Sequence, residues 1–142
     1  MKKLNCVLLV DDNESDNFLH RKVLEKTGLV NHIEIAINGR EALDYLKNVE
    51  KVSSNDSTCL PPELIFLDIN MPVMDGWEFL DEYKNLDDFQ KSKIVIIMLT
   101  TSLNPADKAR AELQIDSGCF QYKPLTALML HEIMEKWFPE YL

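Results

Sequence analysis

Three runs in this 142-residue chain are apolar throughout, and each stops abruptly at an acid or a hydroxyl. Val7-Leu8-Leu9-Val10 leads into Asp11-Asp12, and Leu64-Ile65-Phe66-Leu67 leads into Asp68. Ile94-Val95-Ile96-Ile97-Met98-Leu99 leads into Thr100-Thr101-Ser102. A strand with no polar side chain on either face must be covered on both, the condition of a central strand in a parallel sheet packed between helices. Two other strand candidates, Ile33–Ile37 and Cys119–Tyr122, mix apolar with polar residues and read as edges. Together with Cys6–Val10, Leu64–Leu67 and Ile94–Leu99, they alternate with helical patterns at Glu14–Thr27, Arg40–Lys47, Trp77–Asn85, Ala106–Ile115 and Ala127–Phe138.

Such alternation makes an α/β domain. Right-handed crossovers, with the second and fifth strands at the edges, give a parallel five-stranded sheet in the order 2-1-3-4-5 with helices on both faces, a flavodoxin-like arrangement. Punctuation agrees. Gly28 closes the first helix, Asn104-Pro105 is an N-cap with proline at the first helical position, and Pro139 stops the last helix. Residues 49–63, with Ser53-Ser54-Asn55-Asp56-Ser57 and Pro61-Pro62, form the longest irregular stretch and read as a surface loop.

Composition excludes several classes. With 15 Lys+Arg against 24 Asp+Glu the net charge is −9, which speaks against nucleic acid as a partner. The longest apolar run is too short to cross a bilayer and no secretory signal is visible, so no membrane partner is expected. Cys6, Cys59 and Cys119 are odd in number and form no Cys-x-x-Cys. A reduced, cytoplasmic setting is expected.

In an open parallel sheet, ligands bind beyond the carboxyl ends of the strands, where the strand order reverses. Here that point lies between the first and third strands, so Asp11, Asp12 and Asp68 should converge. Clustered carboxylates repel one another and raise their pKa values unless a cation neutralises them. Oxygen ligands without His or Cys suit magnesium. The hydroxyls after the fourth strand and Lys123-Pro124 after the fifth should meet the same rim. Acids, a hydroxyl and an ammonium at strand ends suit a phosphoryl group with a metal.

These segments, with Asp68-Ile69-Asn70-Met71-Pro72-Val73-Met74-Asp75-Gly76 and Tyr122-Lys123-Pro124, resemble the receiver domain of two-component response regulators over almost the whole chain. The resemblance implies that Asp68 is the phosphoacceptor, taking a phosphoryl group from a phosphohistidine. It implies Mg2+, with Mn2+ as a substitute, held by Asp11, Asp12, Asp68 and the backbone carbonyl of Asn70. Lys123 would pair with the phosphoryl oxygens, Thr100 would donate its hydroxyl to one of them, and Phe120 would turn inward as the threonine moves. The Lys123–Pro124 bond would be cis. Partners would be a sensor histidine kinase or histidine phosphotransfer protein and an unnamed downstream protein. The chain would form one receiver domain over 1–142, with no output domain, and would catalyse only its own phosphorylation and dephosphorylation.

The spacing from Thr100 to Lys123 is one residue longer than the family's, with Leu103-Asn104-Pro105 the expected insertion, so Thr100 or Thr101 could be the switch hydroxyl. Thr100 is favoured because it directly follows the apolar strand. Asn70 and Ser102 stand where the family tunes the lifetime of the phosphorylated state. The main alternative is a degenerate receiver acting as a phosphorylation-independent scaffold; another is a phosphatase, for which no general acid stands out. No Gly-x-x-x-x-Gly-Lys-Ser/Thr supports a P-loop. His20 falls on the inward side of the first helix and reads as packed, His32 and His131 as surface residues. Met129, Leu130, Ile133, Met134 and Trp137 make a core stripe. Asp75, Glu78, Asp81, Glu82, Asp87 and Asp88 read as a solvated face.

Overall fold

A computed structural model describes residues 3–51, 61–86, 94–115 and 119–141. Strands β1 (Leu4–Val10), β2 (Val30–Ala36), β3 (Leu64–Leu67), β4 (Val95–Thr100) and β5 (Phe120–Tyr122) form one sheet in the order β2-β1-β3-β4-β5. All the pairings are parallel. Helices α1 (Glu14–Thr27), α2 (Gly39–Lys51), α3 (Gly76–Tyr83), α4 (Pro105–Gln114) and α5 (Ala127–Trp137) connect and cover the strands, and a short 3-10 turn (Pro139–Tyr141) ends the described chain.

The apolar strands are covered on both faces, because successive side chains point to opposite sides. Leu8, Val10, Ile65, Leu67, Ile96 and Met98 pack toward α2 and α3, against Leu43, Leu46, Phe79 and Leu80. Val7, Leu9, Leu64, Phe66, Ile97 and Leu99 pack on the other side with Leu24 of α1 and Leu130, Ile133 and Met134 of α5. Met129 and Trp137 pack against the same layer, so the stripe expected on the last helix is core.

Several boundaries move. β1 begins at Leu4, which lies opposite Val30, so β2 starts three residues before the expected Ile33. Of the alternating isoleucines, Ile33 is buried and Ile35 partly buried, whereas Ile37 lies beyond the end of the strand and is exposed. α2 continues to Lys51, into the stretch expected to be irregular. Cys59 and the serine-rich run lie outside the described residues, as do Asp87 and Asp88. α3 ends at Tyr83 rather than Asn85, the chain continuing in turns from Glu82 and Tyr83. Glu78 is exposed, and Asp75 stands at the turn and helix start that Asp75-Gly76 suggests. They form a reciprocal capping box at the start of α3.

Val73, in the loop between β3 and α3, has φ 69° and is 79% exposed. A β-branched residue in the left-handed region is strained, and here no burial compensates. Val73→Gly should therefore stabilise the fold by about 1 kcal/mol, net of the entropy glycine adds to the unfolded chain. Urea denaturation would measure it; an unchanged or lower midpoint would show that the loop is not strained.

Candidate phosphoacceptor site

Register places the site. Val10 lies opposite Leu67, so the residues that follow, Asp11 and Asp68, leave the sheet side by side. The Asp68 N–H donates to the Val10 carbonyl (2.9 Å), and the Lys123 N–H donates to the Thr100 carbonyl (2.9 Å). These ladder bonds continue the pairing one step past the strands and hold the functional residues on backbone rather than on free loops.

Asp11 is buried, and each of its carboxylate oxygens accepts a hydrogen bond. Its Oδ1 accepts from the Asn13 N–H (2.9 Å) and its Oδ2 from Lys123 Nζ (2.5 Å). Asp12 is exposed at the rim. Asp68 is 9% exposed; its Oδ1 accepts from the Ile69 N–H (2.9 Å) and its Oδ2 lies 3.6 Å from Lys123 Nζ. Asp11, Asp12 and Asp68 each offer a carboxylate oxygen within 4.8 Å of the others. An all-carboxylate set fits a hard divalent cation such as Mg2+ or Mn2+, and these acids could hold one. Asn70, whose carbonyl was expected to join them, is exposed beside the site.

Burial, and then the neighbouring Asp11 charge, push the Asp68 carboxyl up to about 6, against the opposing pull of Lys123 and the Ile69 N–H. Burial alone would push the Lys123 ammonium down. Hydrogen bonds donated to Asp11 and Asp16, with the charges of Asp68 and Asp11, outweigh that and hold it above its ordinary value. The ammonium is therefore charged at neutral pH.

Thr100 is buried at the end of β4, its hydroxyl oxygen accepting from the Ser102 N–H (3.1 Å), whereas Thr101 points into solvent. Phe120 is half-buried and packs edge-on against Tyr122, with ring centroids 5.5 Å apart. The Lys123–Pro124 peptide is cis. His20 is buried as expected, and burial followed by the Lys123 charge holds its imidazole below the usual range. His131 is exposed, but His32 is half-buried and bonds Glu34 (2.9 Å), so it is not a plain surface residue.

Sequence reasoning missed the contribution of α1. Asp16 Oδ2 accepts from Lys123 Nζ (2.8 Å), and the buried Asn17 donates its side-chain N–H to the Asp11 carbonyl (2.8 Å). Asn17 and His20 share the inward stripe with Leu24, which marks that face of α1 as buried, but nothing in the pattern joins Asp16 to Lys123.

Residues 7–135 match the response regulator receiver domain. The sensor histidine kinase CheAY of Helicobacter pylori is 30% identical over 132 residues, an alignment spanning 92% of this chain but only 14% of that protein. Response regulator Rcp1 of Synechocystis is 31% identical over 117 residues, covering 82% of this chain and 75% of Rcp1. The crystal structure of a two-component response regulator from Cytophaga hutchinsonii superposes with a TM-score of 0.82 at 32% identity, covering 97% of this chain and 99% of that one. Sheet order, strand-end acids and these matches agree, and the chain belongs to the response regulator receiver domains of two-component signalling.

Proposed function

We propose that the chain is a phosphoacceptor switch in which Asp68 takes a phosphoryl group from the phosphohistidine of a sensor kinase or histidine phosphotransfer protein. The observation that carries this reading is the placement of Asp68 beside Asp11 and Asp12, with the Lys123 ammonium 3.6 Å from its Oδ2. In the transfer a carboxylate oxygen of Asp68 bonds to phosphorus as the P–N bond to the donor imidazole breaks. Asp is a weak nucleophile, so alignment and charge neutralisation carry the catalysis. Lys123 supplies a fixed positive charge for the phosphoryl oxygens. A magnesium ion held by Asp12, Asp68 and, through water, Asp11 would neutralise the incoming phosphate.

Thr100 is the switch hydroxyl in this reading, because it is the threonine enclosed at the strand end. Drawing it toward the phosphoryl group opens space for Phe120 and alters the surface of α4, β5 and α5 that a downstream protein reads. Beside the acids, a groove lined by Phe18, Ile37 and Val73, all exposed, gives the phosphodonor protein an apolar rim to dock on.

Incubation with acetyl phosphate and Mg2+, read by intact mass, should give a single phosphoryl adduct that EDTA prevents and Asp68→Asn abolishes. Beryllofluoride should bind the same site if the adduct hydrolyses quickly. A natively folded protein that takes neither would instead be a phosphorylation-independent scaffold. Phosphate release persisting in Asp68→Asn would point to a phosphatase.

A further inference from the structure

The Lys123 ammonium has three N–H donors and three carboxylates around it. It bonds Asp11 Oδ2 (2.5 Å) and Asp16 Oδ2 (2.8 Å), while Asp68 Oδ2 stands off at 3.6 Å, outside bonding range. The Lys123 side chain is only 8% exposed, so its head group has few places to go. The Asp16 backbone is fixed in the first turn of α1, where its N–H donates to the capping side chain of Asn13 (3.0 Å), and its side chain is 30% exposed. The Asp11 bond comes from a residue fixed by the sheet. The Asp16 bond comes from α1, an element separate from the strand ends that carry Asp11 and Asp68.

From this geometry we infer that Asp16 is a positioning residue that holds Lys123 off the phosphoacceptor, competing with the phosphoryl oxygens for the ammonium and so biasing the switch toward its unphosphorylated state. The inference rests on the phosphoacceptor reading above. Asp16 also adds negative charge beside the acid cluster, which favours a bound cation while disfavouring an anionic phosphoryl group. Its removal should therefore tighten binding of a phosphoryl analogue without tightening binding of Mg2+. Loss of a merely structural contact would weaken both.

The test compares the wild-type 142-residue chain with Asp16→Asn, Asp16→Ala and Asp16→Glu. Calorimetry would give Mg2+ affinity alone and beryllofluoride affinity at saturating Mg2+; intact mass would give the lifetime of the acetyl-phosphate adduct. Asp16→Asn and Asp16→Ala should bind beryllofluoride about fivefold to tenfold more tightly, as expected for one competing charge-assisted hydrogen bond at a partly exposed site. Their Mg2+ affinity should be equal or weaker and their adduct longer-lived, while Asp16→Glu should return toward wild type. In a Lys123→Met background, Asp16→Asn should no longer tighten beryllofluoride binding, because the competed ammonium is gone. Unchanged or weaker beryllofluoride binding in Asp16→Asn, with wild type still binding, overturns this inference alone. Failure of wild type to bind beryllofluoride overturns the phosphoacceptor reading and this inference with it.

Discussion

Asp68→Asn should make the metal-free protein more stable at neutral pH while removing its capacity to be phosphorylated. The folded protein raises the Asp68 carboxyl from an ordinary 3.8 to about 6, burial first and the Asp11 charge second. Between those values the folded chain binds more protons at this site than the unfolded chain does. Stability at this site is therefore full below about pH 4 and is lost as pH rises through about 6. A shift of that size corresponds to about 2–3 kcal/mol of destabilisation at neutral pH. The asparagine carries no charge to repel Asp11, and its amide oxygen can still accept from the Ile69 N–H that now donates to Oδ1 (2.9 Å). Denaturation in EDTA should show a small difference between wild type and variant near pH 4.5 that widens by pH 7.5. Added Mg2+ should narrow it by stabilising wild type more, since a cation relieves the repulsion that the variant lacks. A variant less stable than wild type at pH 7.5, or a gap independent of pH, would mean that the fold does not disfavour the ionised Asp68 carboxyl.

The sheet order and the central acids were legible because one physical condition acts on both. Strands buried on two faces must be wholly apolar, so the first polar residue after each marks where the chain leaves the core. That is why Asp11, Asp68 and Thr100 could be placed from Val7–Val10, Leu64–Leu67 and the run ending at Leu99. Edge strands give a weaker signal. β2 was misplaced by three residues at its start because Val30-Asn31-His32 pairs through backbone bonds whatever side chains it carries. The Asp16 and Asn17 contacts were hidden for another reason. They join α1 to residues 107 and 6 positions away, and sequence pattern shows which face of a helix is apolar but not which polar residue meets a distant lysine. The long Thr100-to-Lys123 spacing left two hydroxyls open; exposure separates them, with Thr100 enclosed and Thr101 in solvent.

Gly76→Ala should damage fold and site together, more than its single added methyl suggests. Gly76 is the first residue of α3, and its N–H donates to the Ile69 carbonyl (2.8 Å), clamping the helix start against the backbone just past Asp68. A Cβ here would lie 2.4 Å from the Asp68 carbonyl oxygen and 3.0 Å from Ile69 Cα. Both are backbone atoms, so no side chain can swing aside. Either α3 retreats and the Gly76–Ile69 bond breaks, or the peptide carrying Asp68 moves. Overpacking of this kind, with a buried hydrogen bond lost, should cost about 3 kcal/mol in urea denaturation. Because Asp68 shares its peptide with the contacted oxygen, its carboxylate should shift relative to Asp11, Asp12 and Lys123. A displacement near 1 Å can cost about 100-fold in a step that depends on alignment. The rate of adduct formation with acetyl phosphate should thus fall at least about tenfold in Gly76→Ala under conditions where the variant remains folded. Val73→Gly, a change three residues earlier in the loop before α3 that adds no atoms, should leave that rate near wild type. A folded Gly76→Ala protein phosphorylated at the wild-type rate would show that the helix start yields and the phosphoacceptor does not.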